Sequence, residues 1–298
     1  MNKTGQMGLP ALVLATLLFA SYTIFIRWIG SEFGVFSLSW IRGLIIVFVL
    51  AMYMLLQKIW KPVSKTDYKW FILMTISGVI SFVSYVVAIN HISIATTLLV
   101  YYASLVISGY ILGYIILKEQ INGVKISSLL ICLVGLSLIY SFSFERRELL
   151  YVVLASAVGF GTMGWGVFSK KLSSKYPLVE IQTIDFALMF LITLPLALIL
   201  KEHPALPTLS LQWFGVVALT AVTIAGTLLM VYGFRLLQAQ IAGLVLLLEI
   251  VFGTIIGWVF FQEMLTRLTI LGGILILIGI ALPNLKSSKK TSITQTKD

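Results

Sequence analysis

Three ionisable residues stand inside long apolar stretches of this chain: Arg42, Asp185 and Glu249. A charge in hydrocarbon is costly, so each marks a substrate or ion pathway, a proton relay or a buried partnership. Glu249 lies deepest, and its own stretch offers no cation within reach. A carboxylate there can carry a proton, or hold an ammonium group in the proton's place. Arg42 lies close enough to its segment end to snorkel toward the headgroups. Asp185 takes nearly the matching place 143 positions later. It is expected at the opposite membrane face, hydrated or bonded to a hydroxyl and not paired with Arg42.

Hydroxyls and aromatics at helical spacing surround these groups. The stripes are Thr16, Thr23 and Arg27, with Ser21 and Tyr22 beside them; Ser77, Ser81, Ser84 and Tyr85; Thr97, Tyr101, Ser104 and Ser108; and Thr220, Thr223 and Thr227. One such hydroxyl alone would only bond its own helix or a neighbour. Four stripes together predict an inward-facing wet cavity. Trp165 sits among Gly159, Gly161, Gly164 and Gly166, expected to loosen their helix and open space beside the indole. The candidate substrate-binding residues are Tyr22, Ser81, Tyr85, Tyr101, Tyr102, Trp165 and Glu249, with Glu249 also the candidate for proton coupling. Aromatic faces among them suit an amine through cation–π attraction.

Other chemistry finds little support. Cys132 is the only cysteine, and His91 and His203 are the only histidines. The chain lacks a GxxxxGK[ST] phosphate loop and an HExxH helix. No metal, no cofactor and no enzymatic nucleophile–base pair is expected.

The elements that must position these residues are plain. Hydrophobic residues make up 59% of the chain and charged residues 11%, against ~25% charged in soluble domains. Ten apolar segments run 7–26, 36–56, 70–89, 94–117, 126–142, 149–169, 178–200, 209–232, 240–261 and 268–285. Each approaches the ~20 residues that cross a bilayer as a helix. The first is too long for a signal-peptide core and reads as a permanent span. Ala95, Gly109, Gly113, Glu119, Leu133 and Gly135 recur 144 positions later as Ala239, Gly253, Gly257, Glu263, Leu277 and Gly279. Five spans per repeat is odd, so the halves are inverted. The predicted fold is an all-α polytopic membrane protein: ten transmembrane helices as two inverted five-helix repeats, 7–142 and 149–285, with a basic cytoplasmic tail, 286–298, lacking structure of its own. Inverted repeats are a construction plan of secondary transporters, with the substrate site where the halves meet.

The net charge of +10 reads as topology, not as nucleic-acid binding. With a cytoplasmic N-terminus, 15 of the 21 basic residues fall on the cytoplasmic side, which puts both termini there. The shared Gly-x-x-x-Gly pairs, Gly109/Gly113 and Gly253/Gly257, predict that the fourth and ninth spans pack together about a pseudo-two-fold axis. Glu119 and Glu263 end those spans on opposite faces, where each can bond loop amides or a neighbouring helix end.

The chain resembles the ten-helix EamA-like members of the drug/metabolite transporter superfamily. The resemblance rests on the two repeats and on the glycine-containing helices ending in glutamate, Gly109 through Glu119 and Leu248 through Glu263. Arg42 matches a basic position in the family's second helix. Ile250 stands where the family often has proline, and Lys118 and Gln262 replace the usual glycine before the terminal glutamate. The resemblance implies a secondary transporter that exports amino acids or related metabolites through a cavity lined by spans one, three, four, six, eight and nine. Mid-membrane cations for anionic substrates are missing. The expected partners are a small-molecule substrate, the lipid bilayer and protons, in a bacterial inner membrane, as monomer or homodimer. The competing class is a non-transporting membrane scaffold.

Overall fold

The computed structural model describes residues 3–140, 142, 145–202 and 207–294, with side chains from 7 to 283 within those; His203 lies outside the described residues. The described residues are helical with no strand. The helices are α1 (Lys3–Ala20), α2 (Tyr22–Ile29), α3 (Val35–Gln57), α4 (Tyr68–Ile89), α5 (Ile94–Leu117), α6 (Gly123–Ile139), α7 (Leu149–Ser173), α8 (Leu178–Ile199), α9 (Leu211–Leu236), α10 (Ala239–Leu246), α11 (Leu248–Phe261) and α12 (Arg267–Thr294). α1 with α2, and α10 with α11, each make one broken span, so ten spans result. Eight are long and apolar enough to cross a membrane; Gly123–Ile139 and Arg267–Pro283 are shorter.

Local signals explain where the helices stop and start. Ser93, Asn122 and Ser210 each accept a hydrogen bond from a first-turn amide and cap α5, α6 and α9. Lys118 and Gln262, 144 positions apart, both end their helices in the left-handed conformation, at φ 57° and 56°. Glycine is favoured there because a side chain strains the backbone. The chain keeps the turn without the glycine: Glu119 N–H donates to Gly113 O and Glu263 N–H to Gly257 O. The last helix runs on to Thr294, so much of the 286–298 tail is helical and not unstructured. Nothing beyond Pro283 in that stretch breaks a helix.

The halves interlock. α4 of the first half packs on α7 of the second, and α9 of the second packs on α1 of the first. α3 pairs with α8 and α6 with α12. Ion pairs and caps identify two ends of the bundle. Lys170–Glu119 and Lys175–Asp67 lie at one end; Arg27–Glu263 and the Glu202 cap of α3 lie at the other.

The glycines of α7 serve contact, not looseness. α7 is one continuous 25-residue helix. A Cβ on Gly159 would strike Ser104 and the backbone of Tyr101 and Leu105, and one on Gly161 would press on Ser77 and Ser81. The glycines let α5 and α4 approach α7 closely, which corrects the expectation of a loosened helix.

The Gly-x-x-x-Gly expectation holds for the first-half pair and not for Gly253. Gly109 and Gly113 face Ala239 at the start of α10, with Met163 beside Gly109. A Cβ added to Gly253 would meet no neighbouring element within 4 Å. The fourth and ninth spans therefore close on each other at the Glu119 end and part at the Glu263 end.

Candidate functional site

The parting opens a cavity of about 820 Å³. Small-molecule sites usually occupy ~300–1,000 Å³. Tyr22, Ser81, Tyr85, Tyr101, Tyr102, Trp165 and Glu249 all line it. Its mouth is formed by Glu263, Met264, Leu265 and Thr269. At the other end Glu119 bonds Lys170 and the α10 amide of Ala239, which closes the bundle there.

Two breaks in the helices bring key side chains to this space. α1 stops at Ala20 and α2 restarts at Tyr22. Ser21 and Thr23 donate to Leu18 O and Ala20 O, offering the carbonyls an alternative to the helical ladder. α10 ends at Leu246 and α11 starts at Leu248; Leu247 N–H donates to Leu244 O, and Ile250 N–H to Leu247 O. Glu249 therefore stands in the first turn of a half-helix, beside the cavity. Discontinuous helices at the repeat interface are a recurring device of transporter sites.

Each half also anchors an aromatic wall. Trp165 donates its indole N–H to Asp185 Oδ2 at 2.8 Å, and Thr75 donates to Oδ1 at 2.8 Å. Tyr22 donates to Thr223 at 2.7 Å, and Arg42 donates to the same hydroxyl. Arg42 Cζ lies 5.7 Å from the Tyr22 ring centre. Arg42 thus turns inward onto Thr223 and Tyr22 instead of snorkelling outward, because a buried hydroxyl and an aromatic face are within its reach. Asp185 meets a hydroxyl and an indole, and the structure gives no Asp185–Arg42 bond.

The remaining wall combines hydroxyls and rings. Ser81 bonds Thr162 at 2.8 Å. Tyr101 stands 4.4 Å from Tyr102 and 6.3 Å from Tyr85, centre to centre. Among the described lining residues the charged ones are Glu249 and Glu263, both carboxylates.

A model of the EamA-like transporter family matches residues 6–141 and again 149–285. The chain belongs to the EamA-like transporter family. The pseudopaline exporter CntI of Pseudomonas aeruginosa, strain UCBPP-PA14, is 27% identical over 244 residues, covering 80% of this chain and 82% of the relative. The same exporter from strain PAO1 gives the same figures. One crystal structure superimposes with a TM-score of 0.76 over 95% of this chain and 98% of its own, at 17% identity, which speaks to the fold alone. This EamA-like chain is an integral, multi-pass membrane transporter with the family's ten-helix inverted-repeat fold.

The stripe reading needs correction in this fold. On α5, Thr97 bonds back to Ser93 O, Ser104 to Tyr101 O, and Ser108 to Leu105 O and Gly159 O. Ser104 and Ser108 face α7, not water, and the close glycine contacts of α7 make room for them; Tyr101 of the same stripe lines the cavity. Thr23, Ser81 and Thr227 do line the cavity. Lining residues outside the candidate set include Thr162, Tyr140 and Glu263. Thr162 was visible as the hydroxyl one turn before Trp165. Tyr140 lies just past α6, and Glu263 was read only as a helix end.

Proposed function

We propose that this EamA-like protein exports small neutral or zwitterionic metabolites, such as amino acids, by alternating access across a bacterial inner membrane. The observation that carries the reading is the cavity itself: open at the Glu263 end, sealed at the Glu119 end, and walled by aromatics and hydroxyls around one deep carboxylate. The lysine-rich Glu119 end faces the cytoplasm under the positive-inside rule, with both termini there. The cavity then opens outward. The named cargo of the relative, pseudopaline, also leaves the cell by export, which supports outward transport here.

A second reading, proton-coupled export of cationic amines, draws on Glu249. Among the described residues the lining offers carboxylates and tyrosine faces and no lysine or arginine, a setting for an ammonium group. Glu249 would release a proton as the ammonium enters and regain one as it leaves.

Counterflow in proteoliposomes tests both readings against amino acids, polyamines and cationic drugs. Exchange of amino acids, insensitive to Glu249→Gln under an imposed pH gradient, supports the first. Amine exchange driven by the gradient and lost in Glu249→Gln supports the second. No exchange with any member of these classes counts against both.

A further inference from the structure

The two ends of the bundle carry repeat-equivalent ion pairs in two different settings. Lys170 and Arg27 stand 143 positions apart, and Glu119 and Glu263 stand 144 apart, so the pairs are repeat equivalents. At the closed end Lys170 Nζ donates to Glu119 Oε1 at 2.7 Å and to Leu237 O at 2.6 Å. Ala239 N–H donates to Glu119 Oε2 at 2.8 Å. This set ties α5 and α7 to the start of α10, and Gly109 lies against Ala239 O. At the open end Arg27 donates to Glu263 at 2.8 Å, and the chain turns at Gly257 as it does at Gly113. The equivalents of Leu237 and Ala239 are Ser93 and Ala95, at the start of α5. Among the described residues nothing joins them to Arg27 or Glu263. The exposures agree: the Lys170 and Glu119 side chains are 21% and 7% exposed, and those of Arg27 and Glu263 are 53% and 57% exposed.

We propose that Arg27 and Glu263 are transport residues that form the second gate. In the state closed at their end, Ala95 N–H donates to Glu263, Arg27 donates to Ser93 O, and Gly253 seats on Ala95. The Glu119 set comes apart in the same movement. The span α10–α11 crosses α5, so closing one end of that crossing opens the other. An exposed ion pair contributes ~0–1 kcal/mol, so Arg27 and Glu263 wait as a preformed unit without locking the open state. The inference rests on the transporter reading and adds to it the residues that close the cavity.

The discriminating variant is the charge swap Arg27→Glu with Glu263→Arg, measured by counterflow and thermal melting beside wild type and Glu263→Gln. The swap preserves the ion pair but removes the acceptor that Ala95 N–H needs. We expect melting like wild type and exchange reduced about tenfold to a hundredfold, the effect of losing one charge-assisted hydrogen bond in one state. Glu263→Gln keeps an acceptor oxygen and should retain more exchange than the swap. Swap exchange equal to wild type would overturn the gate, since a surface ion pair is restored by reversal. Paired cysteines Ala95→Cys and Gly257→Cys, in a Cys132→Ala background, address the closed state without altering either charge. Their equivalents at the closed end, Ala239 and Gly113, bring Cβ positions within 3.4 Å, so a disulfide should form during turnover and arrest exchange. No cross-link during active exchange would also overturn the gate. Absent wild-type counterflow with every cargo class, in contrast, would strike the transporter reading and not the gate alone.

Discussion

Trp165 donates its indole N–H to Asp185, twenty positions further along, and Thr75 from the other half holds the second carboxylate oxygen. The same spacing relates Tyr22 to Arg42, with Thr223 from the opposite half as the third member. In each half, the first two spans and a hydroxyl from the partner half position one aromatic wall. Trp165→Phe should keep the wall but leave a buried carboxylate oxygen without its donor, lowering stability by about 1–3 kcal/mol. Asp185→Asn retains an acceptor for the indole and should cost less than Asp185→Ala. Thermal melting beside the KM for exchange checks this; equal melting for Asp185→Ala and wild type would contradict it.

Gly159→Ala should destabilise by about 1–3 kcal/mol, because the new methyl presses on the α5 backbone. Gly253→Ala, with nothing within 4 Å, should melt like wild type or slightly higher. Denaturation of the two variants side by side measures the contrast. A stable Gly159→Ala would mean that α5 and α7 are further apart than described.

The Asp67–Lys175 pair governs the acid limb of stability. Lys175 and Tyr176 donate to the Asp67 carboxylate and hold it below the usual carboxylate range, while burial pulls the other way. Lys175 is held above its ordinary value by the same contact. A carboxylate depressed on folding stabilises fully above its unfolded pKa, about 3.9. That contribution is lost as pH falls through the lower folded value. Lys175, being raised, stabilises below its unfolded value and loses that only in strong alkali. The melting gap between wild type and Asp67→Asn should therefore hold steady from neutral pH to about 5 and shrink below about 4. A gap that closes near neutrality would contradict the pairing.

Much of this was legible in the sequence, for definable reasons. Glu249, Trp165 and the tyrosines are types that lipid disfavours or that suit a binding wall, and all seven candidates surround one cavity. Spacing tells which residues share a face, not what the face meets, so the Ser104–Ser108 stripe was assigned to water although it packs on Gly159. The break before Glu249 falls within Leu246-Leu247-Leu248, where no proline or glycine announces it. The unequal fates of Gly109 and Gly253 belong to one conformational state, and a sequence repeated in both halves cannot express that asymmetry.

The central claim is a water-filled substrate cavity that opens at the Glu263 end. Ser81→Cys in a Cys132→Ala background places one small thiol on its wall, and a membrane-impermeant thiol reagent reads its access from each face of the membrane. The account predicts labelling from outside the cell, slowed by whichever metabolite the protein exchanges. Labelling only after detergent solubilisation, or labelling unaffected by an exchanged metabolite, would contradict it.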